Sequence, residues 1–141
     1  MTTVYVYVMN TMADWEISYC LAELNSKRFF RKNAGEILVK TVSHSKEPVK
    51  SMGGLTIIPD MVIKDIQTNK DNVLILPGSD RWGETENVEI LEIAKHFLEA
   101  EGLVTAICGA TVALANIGIL DNKKHTSNGV GFLDMFCPAY K

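Results

Sequence analysis

Leu103-Val104-Thr105-Ala106-Ile107-Cys108-Gly109-Ala110-Thr111 joins two kinds of periodicity at one residue. Leu103 to Ile107 is an apolar run of strand length. Thr111 to Asn116 reads as helix and is stopped by Gly118. The chain therefore turns from strand to helix at Cys108. Small residues stand two before it (Ala106) and two after it (Ala110), with Gly109 adjacent. A nucleophile elbow needs that spacing, because its strained turn brings backbone segments too close for larger side chains. A helix starting near Gly109 would aim its N–H groups and positive dipole end at the thiol, an environment that favours the thiolate. The competing reading is a core cysteine at a strand end, and the pentapeptide alone does not separate the two.

The segments on either side have the same grammar. Val4 to Val8 is β-branched and aromatic throughout and reads as a buried strand. Asp14 is placed to cap a helix running to about Asn25, with Ile17, Cys20, Leu21 and Leu24 on its apolar face. A second strand is expected over Ile37 to Ser43. A short one is expected over Leu55 to Ile58, after the Met52-Gly53-Gly54 turn and before Pro59. Val73 to Leu76 is a third apolar strand, ended by Pro77-Gly78. Val88 to Ala100 is an amphipathic helix with Leu91, Ala94, Phe97 and Leu98 inward, and Gly102 follows it. Lys124 to Asn128 is a further candidate strand. Alternating strands and helices, with strands apolar on both faces, predict one α/β domain over residues 1–141. The expected architecture is a three-layer α/β/α sandwich of flavodoxin-like type around a mostly parallel sheet. Chemistry in such sheets collects at the carboxyl ends of the strands.

Composition narrows the function classes. The chain has 141 residues, 47% of them hydrophobic, which argues against disorder. A net charge of −3 with interspersed signs offers no basic patch for nucleic acid. No apolar run reaches membrane-spanning length, and Met1-Thr2-Thr3-Val4 lacks the basic start of a signal peptide. The three cysteines, Cys20, Cys108 and Cys137, are widely spaced and include no CxxC pair. That usage fits a reducing cytoplasm and gives no support for a zinc site. Cys20 reads as a core residue, and Cys137, before Pro138, as an exposed one.

Other candidates for chemistry each have a plainer alternative. Glu16, just after the first strand, would share the sheet edge with Cys108 and could exchange protons there; equally, it is an acid favoured in a helix's first turn. Pro77-Gly78-Ser79 either presents backbone N–H groups to a cavity or is an ordinary turn. His125 follows Cys108 by 17 residues and is the histidine best placed to pair with it, although Lys123-Lys124 suggest a solvated position. His44 and His96 read as exposed. Trp15 and Trp82 flank the candidate loops and are placed to wall a pocket or to pack in a core or interface.

Taken in order, these pieces resemble the DJ-1/PfpI superfamily of the class I glutamine amidotransferase-like fold. The matching pieces are the opening strand, Asp14-Trp15-Glu16, Gly53-Gly54, Pro59-Asp60, Leu76-Pro77-Gly78, Ala106 to Ala110, and Gly118-Ile119-Leu120. The resemblance implies that Cys108 is the family's reactive cysteine, that Glu16 is the glutamate contacting it, and that Gly78, Ser79 and Gly109 form an oxyanion pocket. Three departures stand out. Ser79 occupies a position that is often glycine. The histidine found in many members, directly after the cysteine or about 20 residues later, is replaced by Gly109 and Asn128 respectively, with His125 three residues before the latter. On a regular strand residues 125 and 128 would face opposite ways, so Asn128 is the more literal polar partner. Members also usually continue through further strands and a closing helix, so a truncated chain is expected, or one with an uncovered sheet flank.

Functionally, the resemblance implies a cytoplasmic, cysteine-dependent protein, with peptidases or amidases, glyoxalases, deglycases and isonitrile hydratases among the known activities. Carbonyl chemistry ranks above amide hydrolysis here, because no base for a leaving amine is evident. The alternative is a redox-sensing or chaperone-like stress protein that uses oxidation of Cys108. A small-molecule substrate or ligand and a homodimer are the expected partners, and the motifs call for no cofactor or metal.

Overall fold

The computed structural model describes residues 1–140. In chain order the elements are β1 (Thr2–Tyr7), α1 (Asp14–Ser26), β2 (Ile37–Ser43), β3 (Val49–Lys50), β4 (Thr56–Ile57), β5 (Met61–Val62), β6 (Val73–Leu76), α2 (Val88–Glu99), β7 (Leu103–Ala106), α3 (Gly109–Asn116) and α4 (Phe132–Phe136). Five strands form one sheet in the order β5-β2-β1-β6-β7, and every pairing in it is parallel. The four longer strands run β2-β1-β6-β7, the flavodoxin order, with the two-residue β5 added outside β2. Helices flank this sheet, giving the expected three-layer α/β arrangement.

Parallel pairing explains the unbroken apolar strands. Central β1 is covered on both faces, and Val4 through Met9 are all buried. Leu74, Leu76, Ile90, Ala94 and Phe97 complete the core, with Tyr5 edge-on to Phe97 at 6.1 Å. Fully burying each such large side chain contributes about 1.5–3 kcal/mol. Parallelism also brings the carboxyl ends of β1, β6 and β7 to one edge. The chain leaves β1 toward β2 on one side and later returns to β6 on the other. The β1–β6 boundary is therefore the topological switch point where ligands bind in such sheets.

Several expectations need correction. Lys124 to Asn128 forms no strand. Ser127 Oγ instead bonds Thr111 Oγ1 at 2.7 Å and Asn128 reaches Cys108, so side-chain bonds to α3 and the elbow replace a backbone ladder. The Leu55–Ile58 strand shrinks to β4 and pairs antiparallel with β3, outside the main sheet. Asp14 is not the cap of α1. The cap is Ala13, and the Asp14 carboxylate accepts from Ser51 Oγ at 2.7 Å. Cys20 is exposed and Cys137 buried, the reverse of the sequence reading. Helix α1 buries Ile17 alone, while Leu133 and Cys137 are packed inward around α4. Among the described residues no helix is long and apolar enough to cross a membrane.

Candidate functional site

Cys108 occupies the junction of β7 and α3 with φ 53° and ψ −122°. A positive φ is strained for a residue with a Cβ and persists only where the surroundings enforce it. Several bonds do so. Ile107 N–H donates to Leu76 O at 3.1 Å, extending the β6 pairing to the residue before the turn. On the helical side Thr111 N–H and Thr111 Oγ1 both donate to Cys108 O, at 3.0 and 2.6 Å. Ser127 Oγ sits 2.7 Å from Thr111 Oγ1, tying the incoming 127–128 segment to the elbow. The sequence reading missed Thr111 and Ser127; a threonine three residues past the elbow cysteine is the local hydroxyl-to-carbonyl signal that could have found the first.

Gly78 is the point where Glu16 and Cys108 converge. A Cβ there would lie 2.8 Å from Cys108 Cβ and 2.8 Å from each Glu16 carboxylate oxygen, so only glycine fits. Its N–H donates to Glu16 Oε2 at 2.7 Å. That bond takes up Gly78 N–H, which is therefore not a free oxyanion donor, and engages one of the two Glu16 carboxylate oxygens. Cys108 Sγ accepts from Asn128 Nδ2 at 3.1 Å. Ser79 and Gly109 are packed backbone to backbone: a Cβ on Gly109 would meet Ser79 O at 2.8 Å. Among the described residues neither Ser79 N–H nor Gly109 N–H has a protein acceptor.

The Ser79 side chain has a separate structural task. Its Oγ donates to Asn10 O at 3.1 Å, lies 2.8 Å from Thr11 Oγ1, and accepts from Arg81 N–H at 3.2 Å. It thus joins the loop after β6 to the loop after β1, reinforced by Ala13 N–H to Gly78 O at 2.8 Å. The Ser51–Asp14 bond and Met52 N–H to Met12 O at 2.9 Å bring the β3–β4 hairpin against the same edge.

These loops enclose a cleft of about 490 Å³. Cys108, Glu16, Gly78, Ser79, Gly109 and Asn128 all line it, as do Trp15 and Trp82. Trp82 Nε1 donates to Pro77 O at 2.9 Å, and its indole is tilted against buried Tyr7 at 5.7 Å. The Tyr7 hydroxyl donates to Asn87 Oδ1 at 2.7 Å. Burial, and secondarily the charges of Glu86 and Glu89, push the Tyr7 phenol well above its usual range. Met52, Asp80, Val112, Phe132 and Phe136 complete much of the wall, none of them singled out by the sequence. His125 lies elsewhere. Its ring bonds Lys123 O at 2.7 Å and Tyr140 Oη at 3.0 Å, and it lines two other cavities. His44 and His96 are exposed. No histidine lines the cleft, and no three His, Cys, Asp or Glu cluster as metal ligands among the described residues.

Comparison with known proteins places this geometry in a lineage. The chain is 44% identical over 138 residues to a Bacillus subtilis protein named uncharacterized protease YoaZ, covering 98% of this chain and 66% of that one. It is 32% identical over 111 residues to the Caenorhabditis elegans glutathione-independent glyoxalase DJR-1.2, covering 71% of this chain and 59% of the relative. The crystal structure of a thiJ/pfpI family protein from Bacillus anthracis superposes with a TM-score of 0.94 at 45% identity, over 99% of this chain and 66% of that one. The chain thus spans between 59% and 66% of the length of these relatives. The model of the DJ-1/PfpI family matches residues 2–136, which take in β1, Glu16, the Gly78 turn, the Cys108 elbow and Asn128: the chain belongs to the DJ-1/PfpI family.

Proposed function

We propose that this protein transforms small carbonyl compounds through a Cys108 thiolate, with Glu16 as proton carrier. The observation that carries the reading is Cys108 at a positive-φ elbow in the same cleft as Glu16 and two N–H groups without a protein acceptor. On a 2-oxoaldehyde, Sγ would bond to the aldehyde carbon. The carbonyl electron pair would move to oxygen, where Ser79 and Gly109 N–H stabilise it. Glu16 Oε2 is engaged by Gly78, which leaves Oε1 to take the proton from the former aldehyde carbon and return it to the neighbouring carbon. The ketone is thereby reduced to an alcohol and the aldehyde carbon oxidised to a thioester. Water then cleaves the thioester to release a 2-hydroxy acid and regenerate the thiol. The sum is addition of one water, with no external oxidant.

Amide or peptide hydrolysis fits the cleft less well. An amide leaving group needs a proton on nitrogen, and the histidine that would supply one is absent from the lining, with His125 bonded to Tyr140 instead. A second reading, oxidation sensing at Cys108, is favoured by that same lack of imidazole, since peroxide oxidation of a thiolate needs no base for a leaving group. The test is 2-hydroxy acid formation from methylglyoxal by wild type, Cys108→Ser and Glu16→Gln. Turnover lost in both variants supports the carbonyl reading. No turnover by wild type, with Cys108 gaining two oxygens under dilute peroxide, overturns it in favour of the sensor.

A further inference from the structure

The charge and polarity of the Cys108 cleft restrict its substrates more than the reaction itself does. Its only charged lining residues are Glu16 and Asp80, both acidic, and no lysine, arginine or histidine reaches it among the described residues. The cation nearest in sequence, Arg81, is committed to Glu84 at 2.7 Å. A thiolate at Cys108 adds a further negative charge. An anionic ligand would meet like charges with no side-chain cation in the lining to offset them. The walls are broad and apolar. Trp15 and Phe136 are more than half exposed, at 59% and 54%, and Met52 is 45% exposed, so apolar surface is available to a ligand. The polar handles other than the acids and backbone include the neutral amides of Asn116 and Asn128. A cleft of about 490 Å³ has the size of a small-molecule site.

We infer that the Cys108 cleft selects carbonyl compounds with an uncharged, bulky apolar substituent, aromatic or branched aliphatic, and rejects those bearing carboxylate or phosphate. The inference rests on the carbonyl reading for its reaction and on the wall for its selectivity, so the two can be tested apart.

Selectivity is read without turnover, from the rates at which Cys108 is alkylated by iodoacetamide, iodoacetate and N-phenyl iodoacetamide. Each rate is divided by that of free cysteine under the same conditions. The normalised preference for iodoacetamide over iodoacetate should be about tenfold at low salt and shrink at high salt. The phenyl reagent should gain several-fold over iodoacetamide from apolar contact, a gain that Trp15→Ala reduces. Asp80→Asn should raise the iodoacetate rate selectively. Normalised iodoacetate reactivity equal to or above that of iodoacetamide overturns the selectivity, whatever the turnover. Conversely, if this ranking holds while neither phenylglyoxal nor methylglyoxal is converted, the selectivity stands and the carbonyl reading fails. Turnover of 4-carboxyphenylglyoxal faster than phenylglyoxal would leave the reaction standing and sink the selectivity.

Discussion

Asn128 Nδ2 donates to Cys108 Sγ at 3.1 Å, joining residues 20 apart in sequence in the lining of one cleft. An amide donor stabilises a thiolate without competing for its proton. Asn128→Ala should therefore slow alkylation of Cys108 several-fold, and Asn128→Asp about tenfold, because a carboxylate beside the sulfur opposes its negative charge. Mass-resolved labelling of Cys108 at fixed pH checks both. Equal rates in wild type and both variants would remove Asn128 from the chemistry.

Gly78→Ala should damage the site more than an exposed glycine substitution would. Its Cβ would stand 2.8 Å from Cys108 Cβ and both Glu16 oxygens. Overpacking of this kind destabilises by about 1–3 kcal/mol. Urea unfolding should show that loss, and Cys108 labelling should change in the same variant. Gly83→Ala, where a Cβ meets nothing within 4 Å, is the control.

Ser79→Ala retains the backbone N–H at the cleft while removing the hydroxyl that bridges Asn10, Thr11 and Arg81. Losing such a part-buried network should cost about 1–2 kcal/mol. The account expects catalytic turnover to fall with kcat rather than KM, since the bridge fixes the N–H that stabilises developing charge. A drop in stability alone, with kcat unchanged, would confine Ser79 to a structural role.

Tyr7 gives a pH prediction. Its phenol is raised in the folded state, so native protein retains the proton where unfolded chain releases it. Stability from this group is complete below the unfolded value near 10 and falls as pH rises above it toward the folded value. Tyr7→Phe should lose about 1 kcal/mol at neutral pH, through the Asn87 bond, and show a shallower alkaline decline. Urea midpoints from pH 8 to 11 measure both slopes.

Much of this was legible in the sequence because parallel strands are buried on both faces and leave unbroken apolar runs. Ile37–Ser43 and Val73–Leu76 have the same limits in structure as in the reading. Cys108 stood out through the small residues around its strand end, whereas Glu16 and the Pro77-Gly78 turn, locally an ordinary first-turn acid and an ordinary turn, were singled out by the family resemblance. What escaped depends on tertiary choice. Lys124 to Asn128 has strand-like length, but its side chains bond Thr111, Tyr140 and Cys108, and nothing local announces those partners. Helix α1 looked amphipathic through Cys20, yet that face turns far enough from the sheet to leave the thiol exposed. The apolar wall of Met52, Phe132 and Phe136 comes from short elements whose position only packing decides.

The three cysteines supply the most direct test of Cys108 as the nucleophile. Cys20 is exposed, Cys108 intermediate and Cys137 buried. Accessibility alone orders alkylation as Cys20, then Cys108, then Cys137. With limiting iodoacetamide at neutral pH, and peptide-resolved mass spectrometry, Cys108 should be labelled first, about tenfold ahead of Cys20, because Asn128 Nδ2 donates to its sulfur and the elbow sets it at the N-terminus of α3. Labelling of Cys20 ahead of Cys108 would contradict the central claim and leave the elbow as a structural turn.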